Sequence, residues 1–202
     1  MNINKVDRIV YTFSMSTKKS SPSARERILL NAHDLFYSDG IRATGVDRII
    51  KEANVTKVTF YRHFPSKNNL IRSYLEFRHA YWMAWFTNAL ERHEQKTSDP
   101  QEIILGALSE WFRSDAFRGC AFINAVVELD GTSSEISELT RTHKKAMESE
   151  LKQYLQQTNL KGNEEAVAMA IDGAIIQAQI DTDPSRALQT LKRIVCALAE
   201  SN

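Results

Sequence analysis

A short run of polar side chains between two turn signals is the strongest candidate for chemistry in this sequence. Residues 57–63 read KVTFYRH, so hydrogen-bond donors from Lys, Thr, Tyr, Arg and His follow one another within about two helical turns. Such donors on one face of a short helix suit the phosphates and base edges of a DNA major groove. A charged helix face more often contacts only solvent, so the run alone leaves both interpretations open.

The residues around this run predict two short helices joined by a tight turn. Thr44 is predicted to cap the first helix, and Asp47 places a carboxylate at its positive end. Asn54 is predicted to end that helix, because Asn enters the left-handed backbone region at low cost. Thr56 is predicted to cap the second helix, which has to end before Pro65 because proline cannot continue it.

A further helix precedes this pair. Residues 23–26, Ser-Ala-Arg-Glu, form a capping box, and Gly40 suits the end of a helix. Apolar residues at helical spacing lie between them: Ile28, Leu29, Ala32, Leu35 and Phe36. The sequence therefore predicts a three-helix head in which the donor-rich helix is held from behind.

Many residue types in this head recur at the spacings of a known DNA-binding domain. They are Ala32, Leu35, Phe36, Gly40, Thr44, Val46, Ile49, Ala53, Val55, the run from Thr59 to Phe64, Ser66 and Lys67. On these residues the segment resembles the N-terminal domain of the TetR/AcrR family of bacterial transcriptional regulators. The resemblance implies a helix-turn-helix whose second helix enters the major groove. The positions that depart from the family's common residues are Gly45, Arg48, Ile50 and Asn54.

Donor types and the resemblance together predict the residues that contact DNA. They are Thr44, Lys57, Val58, Thr59, Tyr61, Arg62, His63 and Lys67. Phosphate contacts are expected of six of them: Thr44, Lys57, Thr59, Tyr61, His63 and Lys67. Base contacts are expected of Lys57, Val58 and Arg62. The phosphate contact of Lys67 is implied by the resemblance alone.

Charge is divided unevenly along the chain, although the net charge is only +1. Residues 16–72 hold 11 Lys and Arg against 5 Asp and Glu, whereas residues 73–202 hold 13 against 19. A basic head on an acidic body is typical of a nucleic-acid-binding part joined to a part with another task. With 7 Gly, 4 Pro and 43% hydrophobic residues in 202, the fold class expected is all-α.

The helical pattern continues to the end of the chain. A long helix from Lys67 to about residue 95 is predicted to connect the head to the body as a stiff lever, and five more helices follow it. The predicted domains are a flexible arm at 1–22, a DNA-binding domain at 23–70 with its motif at about 46–65, and a helical effector-binding and dimerisation domain at 71–202. In the arm, Lys18 and Lys19 either touch DNA or are merely solvated, and Met15 is an alternative start.

A small-molecule site in the body is also implied by the resemblance. Helices four to seven are expected to enclose it with aromatic walls and few polar groups. The expected lining residues are Trp82, Trp85, Phe86, Trp111, Phe112, Phe122, His143 and Met147. Each of these is more often an ordinary core residue, so about half of them are expected to contact a ligand.

The last two helices, at about 163–200, are implied by the resemblance to pair with those of a second subunit. Small side chains there permit close helix approach: Ala166, Ala170, Gly173, Ala174 and Ala178. A homodimer would place two heads on a palindromic operator, one on each half-site. The alternative is that this small-sided surface packs within one chain.

Cys120 and Cys196 are the only cysteines in the sequence. Two cysteines are too few for a disulfide framework and are compatible with a reducing cytoplasm. Cys120 is predicted at a helix N-terminus beside Arg118, where a thiolate is favoured, so a redox- or electrophile-sensing regulator is an alternative function. The competing interpretation is a buried, inert thiol, and Cys196 is expected to be structural.

An enzyme is the hypothesis from another class. Cys120 and His143 would have to act as nucleophile and base, but the sequence shows no orienting third group or oxyanion site for them. It also shows no phosphate-binding Gly-rich loop, no metal-ligand cluster, no membrane-spanning stretch and no signal-peptide core. We therefore expect a cytoplasmic protein without catalytic residues, metal or cofactor.

Sequence-independent DNA packaging is a third possibility, but it does not explain an acidic, aromatic body. The function expected is that of a homodimeric transcriptional regulator, in the family's common mode a repressor, bound to a double-stranded palindromic operator. A small-molecule effector is expected to release it by binding the body better when the heads are spaced wrongly for the half-sites.

Overall fold

The computed structural model describes residues 21–129, 134–181 and 183–200. Within these ranges the chain forms nine α-helices and no strand, so the all-α prediction is confirmed. The helices are α1 (Ala24–Asp39), α2 (Val46–Glu52), α3 (Lys57–His63), α4 (Lys67–Glu94), α5 (Pro100–Phe112), α6 (Ala121–Leu129), α7 (Ser134–Leu155), α8 (Glu164–Ile180) and α9 (Ser185–Glu200). Most of the predicted arm, including Met15, Lys18 and Lys19, lies outside the described residues.

Local capping signals begin and end the first helix of the head as predicted. The Ser23 N–H donates to Glu26 Oε2 at 2.7 Å, and Ser23 Oγ accepts from the Glu26 N–H at 3.3 Å, which completes the capping box. At the other end Gly40 has φ +92°, in the region that favours glycine. These residues limit α1 to the stretch that carries its buried stripe.

The turn between α1 and α2 differs from its prediction, because Thr44 does not cap α2. The N-cap of α2 is Gly45, which makes no side-chain capping bond. Thr44 is completely buried, and its hydroxyl donates to Gly40 O at 2.8 Å and lies 3.3 Å from Leu35 O. The hydroxyl therefore bonds backward to carbonyl groups near the end of α1 and not forward to α2.

The turn between α2 and α3 follows its prediction. Asn54 has φ +50°, and among the described residues it is the one non-glycine residue with positive φ. Thr56 Oγ1 accepts from the Thr59 N–H at 3.1 Å and so caps α3. Arg27 on α1 donates to Ala53 O at 3.1 Å, so α1 also holds the end of α2.

The head is closed by side chains that point inward from each of its helices. Its buried apolar residues include Ile28, Ala32, Phe36, Ile49, Phe60, Phe64, Leu70 and Tyr74. Phe60 is 0% exposed and its ring lies 6.2 Å from the Phe64 ring, centroid to centroid. Burying a side chain of this size contributes about 2 to 3 kcal/mol, so α3 is held to the head mainly by one aromatic residue.

The long helix α4 belongs to both parts of the molecule. Its 28 residues span about 42 Å at 1.5 Å per residue. Its first turns pack on α1, and further along it packs on α5, α6 and α7. A change in the body can therefore reach the head along one continuous helix.

The body is built around α4, with α8 and α9 at its far side. Helix α8 packs between α7 and α9, and α9 also packs on α5. Helix α6 has apolar residues nearly all round, but Val127 is 74% exposed and only one side of the helix is buried. Within the described residues no helix is long and apolar enough to cross a membrane.

Candidate nucleic-acid interface and body cavity

The outer side of α3 presents a compact set of polar groups. Lys57, Tyr61 and Arg62 are exposed, while Thr59 and His63 are half-buried beside them. Val58 is 78% exposed although it is apolar. Exposed donors around an exposed methyl-bearing side chain match a major groove, where phosphates and bases accept hydrogen bonds and thymine offers a methyl group.

The polar groups of α3 make few bonds to the rest of the head. Lys57 lies 3.8 Å from Asp47, and both side chains are more than two-thirds exposed, so this ion pair contributes little. The hydroxyl groups of Thr59 and Thr56 lie 2.9 Å apart, which orients Thr59 along the helix. The arrangement leaves Lys57 and Tyr61 available to a partner without any loss of core packing.

Lys67 is the least available of the predicted DNA contacts on the surface of the head. Its side chain is half-buried, its Nζ donates to Ile41 O at 2.6 Å, and it lies 5.9 Å from the centre of the Phe36 ring. Burial lowers the pKa of Lys67, and the Glu128 carboxylate acts in the opposite direction. An ammonium group has three N–H donors, so the bond to Ile41 leaves two for a phosphate.

Thr44 does not belong to this surface, since its side chain is buried and its hydroxyl is bonded to α1. The structure instead exposes Arg42, two residues earlier, which was not among the predicted contacts. Arg42 lies in the same turn as Ile41, the residue whose carbonyl binds Lys67. Its only signal in the sequence is its charge.

Two groups of hydrogen bonds join the head to the body beside α6. The Tyr37 hydroxyl donates to Gly119 O at 2.9 Å and accepts from the Arg118 N–H at 3.1 Å. Glu128, at the other end of α6, accepts from the Arg42 N–H at 2.9 Å. Helix α6 is therefore fastened to the head near both ends.

The predicted ligand residues form one aromatic cluster in the body, but only part of the cluster surrounds an empty space. Five of the eight predicted residues line a single small cavity: Trp82, Trp111, Phe122, His143 and Met147. The other three do not line this cavity: Phe86 stacks on Trp82 with centroids 4.7 Å apart, and Trp85 and Phe112 contact Trp111. Phe112 also lines a separate, more open pocket with Phe117 and Ala178. The cavity measures about 10 Å³, room for about one water molecule.

Three polar residues on the cavity wall were not among the predicted ligand contacts. Arg78 lines the cavity one helical turn before Trp82, Lys144 follows His143, and Cys120 also lines it. Helical spacing from Trp82 would have pointed to Arg78. A charged residue within an aromatic stretch is more often solvated, so its residue type alone does not indicate a place on a cavity wall.

His143 is held as a neutral ring on the cavity wall. It stacks on Phe122 with centroids 3.9 Å apart, and its Nδ1 lies 3.2 Å from Nδ1 of His79. Burial lowers the pKa of His143 to about 2, and the charges of Lys144, His79 and Arg78 act in the same direction. Burial also lowers the pKa of His79. Two neutral rings can share one hydrogen bond, with one Nδ1–H donating to the other nitrogen.

Arg78 is buried, and no carboxylate in the described part of the chain pairs with it. It is 6% exposed, its Nη1 lies 3.3 Å from His33 Nε2, and its guanidinium carbon lies 3.8 Å from the centre of the Tyr37 ring. None of the ion pairs between described residues includes Arg78. Within the described ranges its charge therefore faces aromatic rings and no paired carboxylate.

The two cysteines lie apart from each other and are free. Cys120 is 5% exposed and immediately precedes α6, and its carbonyl accepts from the Asn124 N–H at 3.0 Å. Cys196 is half-buried and donates to Gln101 Oε1 at 3.2 Å. Burial of the Cys120 thiol favours the inert interpretation over the sensing one. Across the described ranges, no three His, Cys, Asp or Glu side chains form a group that could hold a metal ion.

The last two helices share their small side chains between an inner and an outer side. Ala174 and Ala178 on α8 are buried, whereas Ala166 and Gly173 are exposed. Large apolar side chains are also exposed on these helices: Met169, Ile176, Ile180 and Ile194. Packing of α8 on α9 within one chain thus accounts for part of the small-sided surface, and an apolar outer side remains.

Comparison with known proteins supports the head and the fold separately. The family model described as bacterial regulatory proteins, tetR family, matches residues 28–74. This range runs from the first buried residue of α1 to the first turns of α4 and contains the whole helix-turn-helix. The resemblance that the sequence suggested is confirmed.

Curated relatives extend the match beyond the head. The HTH-type transcriptional repressor ComR of Escherichia coli (strain K12) is 23% identical over 146 residues, which cover 68% of this chain and 66% of ComR. An HTH-type transcriptional regulator in the lacX 3' region of Lactococcus lactis subsp. lactis is 25% identical over 114 residues, 56% of this chain and 58% of the relative. The chain spans less than two thirds of the length of either relative.

Solved structures match nearly the whole chain. SCO4454, a TetR-family transcriptional regulator from Streptomyces coelicolor, has a TM-score of 0.72 and 28% identity, covering 88% of this chain and 95% of that chain. The reduced form of E. coli NemR has a TM-score of 0.69 at 20% identity, covering 87% of this chain and 95% of that one, and so supports the fold alone. Head and body together therefore have the architecture of TetR-family regulators.

Proposed function

This chain belongs to the TetR family of bacterial regulatory proteins, and from that premise we propose that it is a DNA-binding transcriptional regulator, acting as a repressor. The observation that carries the proposal is α3, a capped helix whose donors are exposed while Phe60 anchors it from behind. A helix built in this way can enter a groove without giving up any packing of the head.

Within the interface we propose a division of labour between phosphate and base contacts. Lys57, Tyr61 and Lys67 position the head on phosphates, with help from Thr59 and His63. Lys57, Val58 and Arg62 reach base edges, and the exposed methyl groups of Val58 suit a thymine methyl. The part proposed for Thr44 is structural, because its buried hydroxyl holds the turn in front of α2.

We propose that the protein binds its operator as a homodimer through α8 and α9. The support is the exposed apolar side of these helices, to which Met169 and Ile180 contribute at 70% exposure each. A twofold axis there would place two heads on two half-sites of a palindrome. The protein then acts on DNA in the cytoplasm.

A small molecule bound in the body is proposed to control DNA binding. The cavity is walled by residues of α4, α5, α6, α7 and α8, and α4 and α6 also contact the head. An effector that favours a different placement of these helices would change the spacing of the two heads, and only this difference in affinity can release the operator. Redox sensing through Cys120 is less favoured because the thiol is buried, and we propose no catalytic role for it.

The test of the proposed function is a gel-shift titration of the full chain on DNA from beside its own gene, at several salt concentrations. Tight, sequence-selective binding is expected. Lys57→Ala should lower the slope of log affinity against log salt by about 0.9, the value for one phosphate contact. Lys145→Ala, which removes an exposed lysine of α7, is the matched control and should leave the slope unchanged.

Two results would count against the regulator. One is binding that is equal for all sequences and is abolished by modest salt, because that is general electrostatic attraction. The other is an equal loss of slope in the Lys57 and Lys145 variants, because DNA would then contact the body as much as α3.

A further inference from the structure

The cavity in the body contains more hydrogen-bond donors than acceptors. Arg78 and Trp82 both line it, and both are at least nine-tenths buried. The indole N–H of Trp82 has no acceptor anywhere in the described part of the chain. Buried polar groups are nearly always hydrogen-bonded, so a donor without a partner beside a cavity indicates a missing acceptor.

The remaining polar groups of the wall do not supply this acceptor. His143 is engaged with His79 through their Nδ1 atoms. Lys144 is paired with the Asp172 carboxylate, which balances its charge. Arg78 has no such carboxylate among the described residues, and it contacts the His33 nitrogen and the faces of the Tyr37 and Tyr81 rings. Among the described residues, the positive charge of Arg78 therefore faces rings and no paired carboxylate, so a bound anion would stabilise it.

The rest of the wall selects for a flat apolar group. Trp111 and Phe122 are aromatic, and Met147 can adapt its shape to a ligand. A planar ring placed there gains the offset or edge contacts that Trp111 makes with Trp82 and that Phe122 makes with His143. Charge and shape together therefore describe one class of molecule.

We propose that the cavity binds a small aromatic carboxylate, whose carboxylate accepts from Arg78 and from the Trp82 indole N–H while its ring lies against Trp111 and Phe122. This assignment rests on the proposed function, since it names the effector class for the site in the body. The cavity now has room for about one water molecule, so a ring enters only when the wall opens. Opening the wall there requires Phe122, at the start of α6, to move away from His143.

Arg78 gives this ligand a direct effect on the head. Its guanidinium stacks on Tyr37, and the Tyr37 hydroxyl bonds to the backbone of Arg118 and Gly119 just before α6. A carboxylate that draws Arg78 into the cavity competes with Tyr37 for the same cation. The ligand then favours the state in which the contact between α1 and α6 is loosened, and that difference in affinity is what release of DNA requires.

The experiment is isothermal titration calorimetry of the full chain with three probes of one size: benzoate, benzamide and benzylamine. Benzoate should bind at least about tenfold more tightly than benzamide, because it gains a charge-assisted bond to Arg78. Benzylamine should bind more weakly than either, because its cation meets Arg78. Equal affinities for benzoate and benzamide, or no benzoate binding up to roughly 10 mM, would overturn the assignment.

Variants separate this site from a general charge effect. Arg78→Gln should raise the benzoate Kd about tenfold and leave the benzamide Kd within about twofold. Trp82→Phe retains a ring and removes the N–H, so a smaller loss of benzoate affinity is expected, and this variant tests the site even if Arg78→Gln does not fold. Arg72→Gln, which alters an exposed arginine on the same helix, is the control and should change neither Kd. A loss of benzoate affinity in Arg72→Gln equal to that in Arg78→Gln would contradict the proposal.

A gel shift on the same preparations distinguishes the proposal of a DNA-binding regulator from the proposal of an aromatic carboxylate ligand. If the chain binds its operator but does not prefer benzoate to benzamide, the ligand assignment fails and the regulator stands. If it prefers benzoate through Arg78 but binds no operator, the regulator fails and the ligand site stands. Weaker operator binding in saturating benzoate, absent in Arg78→Gln, supports both together.

Discussion

The head and the body place their candidate binding groups in opposite environments. On α3, Lys57 and Arg62 are exposed and are held in place by a single buried ring, that of Phe60. In the body, Arg78 and Trp82 are themselves buried, beside a cavity of about 10 Å³. DNA brings its own charge to the surface of a protein, whereas a small molecule has to be surrounded by a dry wall.

Because of this difference, a substitution at the binding surface of the head should affect binding but not stability, whereas a substitution at the cavity of the body should affect both. A side chain at the surface of α3 can be changed with little effect on the core, because few atoms pack against it. A side chain on the cavity wall is also part of the core, so its removal alters ligand contacts and stability together. The four predictions that follow test this contrast, beginning with the largest expected effect.

Replacing Phe60 should break the head, and replacing its neighbour should not. Phe60→Ala is expected to lower the free energy of unfolding by about 3 to 5 kcal/mol and to abolish operator binding, because it leaves a cavity behind α3. Tyr61→Ala should cost less than about 1 kcal/mol and still weaken binding to every DNA sequence. Urea denaturation followed by circular dichroism, with a gel shift, measures both. Similar losses of stability in the two variants would show that α3 is not anchored by Phe60.

Thr44 should contribute to stability and not directly to DNA contact. Thr44→Val keeps the side-chain volume but removes the bonds to Gly40 and Leu35, so a cost of about 1 to 3 kcal/mol is expected. Thr59→Val, which removes a hydroxyl at the surface of α3, should cost less than about 1 kcal/mol. Urea denaturation provides the comparison. A larger loss in Thr59→Val would reverse the assignment of the two hydroxyl groups.

The body should lose stability in mild acid because of His143. Its pKa is lowered from 6.5 to about 2 by folding, so below pH 6.5 the unfolded chain binds a proton that the native chain does not. Stability is therefore fully retained above pH 6.5 and falls as the pH decreases, by roughly 1 kcal/mol between pH 7 and pH 5.5. His143→Phe should remove most of this slope, and His63→Gln on α3 should not. Equal slopes in wild type and His143→Phe would mean that His143 is not buried as a neutral ring.

Two ion pairs of the same kind should differ between the regions, with the smallest effect in the head. Asp47→Asn breaks the exposed pair with Lys57 and should change stability by less than about 0.5 kcal/mol. Asp172→Asn breaks the half-buried pair with Lys144 and should cost more, about 1 kcal/mol. Asp47→Asn should also raise DNA affinity slightly, because it frees Lys57 and removes a negative charge. Thermal unfolding and the gel shift measure the two effects, and weaker DNA binding by Asp47→Asn would remove Lys57 from the interface.

Most of the fold could be predicted because its signals are local. The Ser23 capping box, the left-handed Asn54 and the Thr56 cap each act within a few residues, and each is present where the sequence predicts it. The prediction that Thr44 caps α2 was wrong, because a threonine before a helix can either cap that helix or bond backward to the preceding one. That choice depends on where the end of α1 lies in space.

In the candidate sites, too, the sequence was enough for one part and not for the other. Residue types and spacing were enough for the donors of α3, because these side chains face outward and do not depend on tertiary packing. In the body, aromatic types alone did not separate Trp82 and Trp111, which line the cavity, from Trp85 and Phe86, which do not line it. Wall and core residues are equally apolar, so their sequence signals are the same.

By itself, the sequence determined the helical class, the caps and turns of the head, the donors of α3 and the family resemblance. Only the tertiary structure decided that Thr44 is buried, that one side of α6 is exposed and that Arg78 lies against the Tyr37 ring beside the cavity. The physical reason is the distance along the chain over which each interaction acts. A cap or a left-handed turn is decided by neighbours along the chain, whereas burial and charge balance depend on residues that are distant in sequence and meet only after folding.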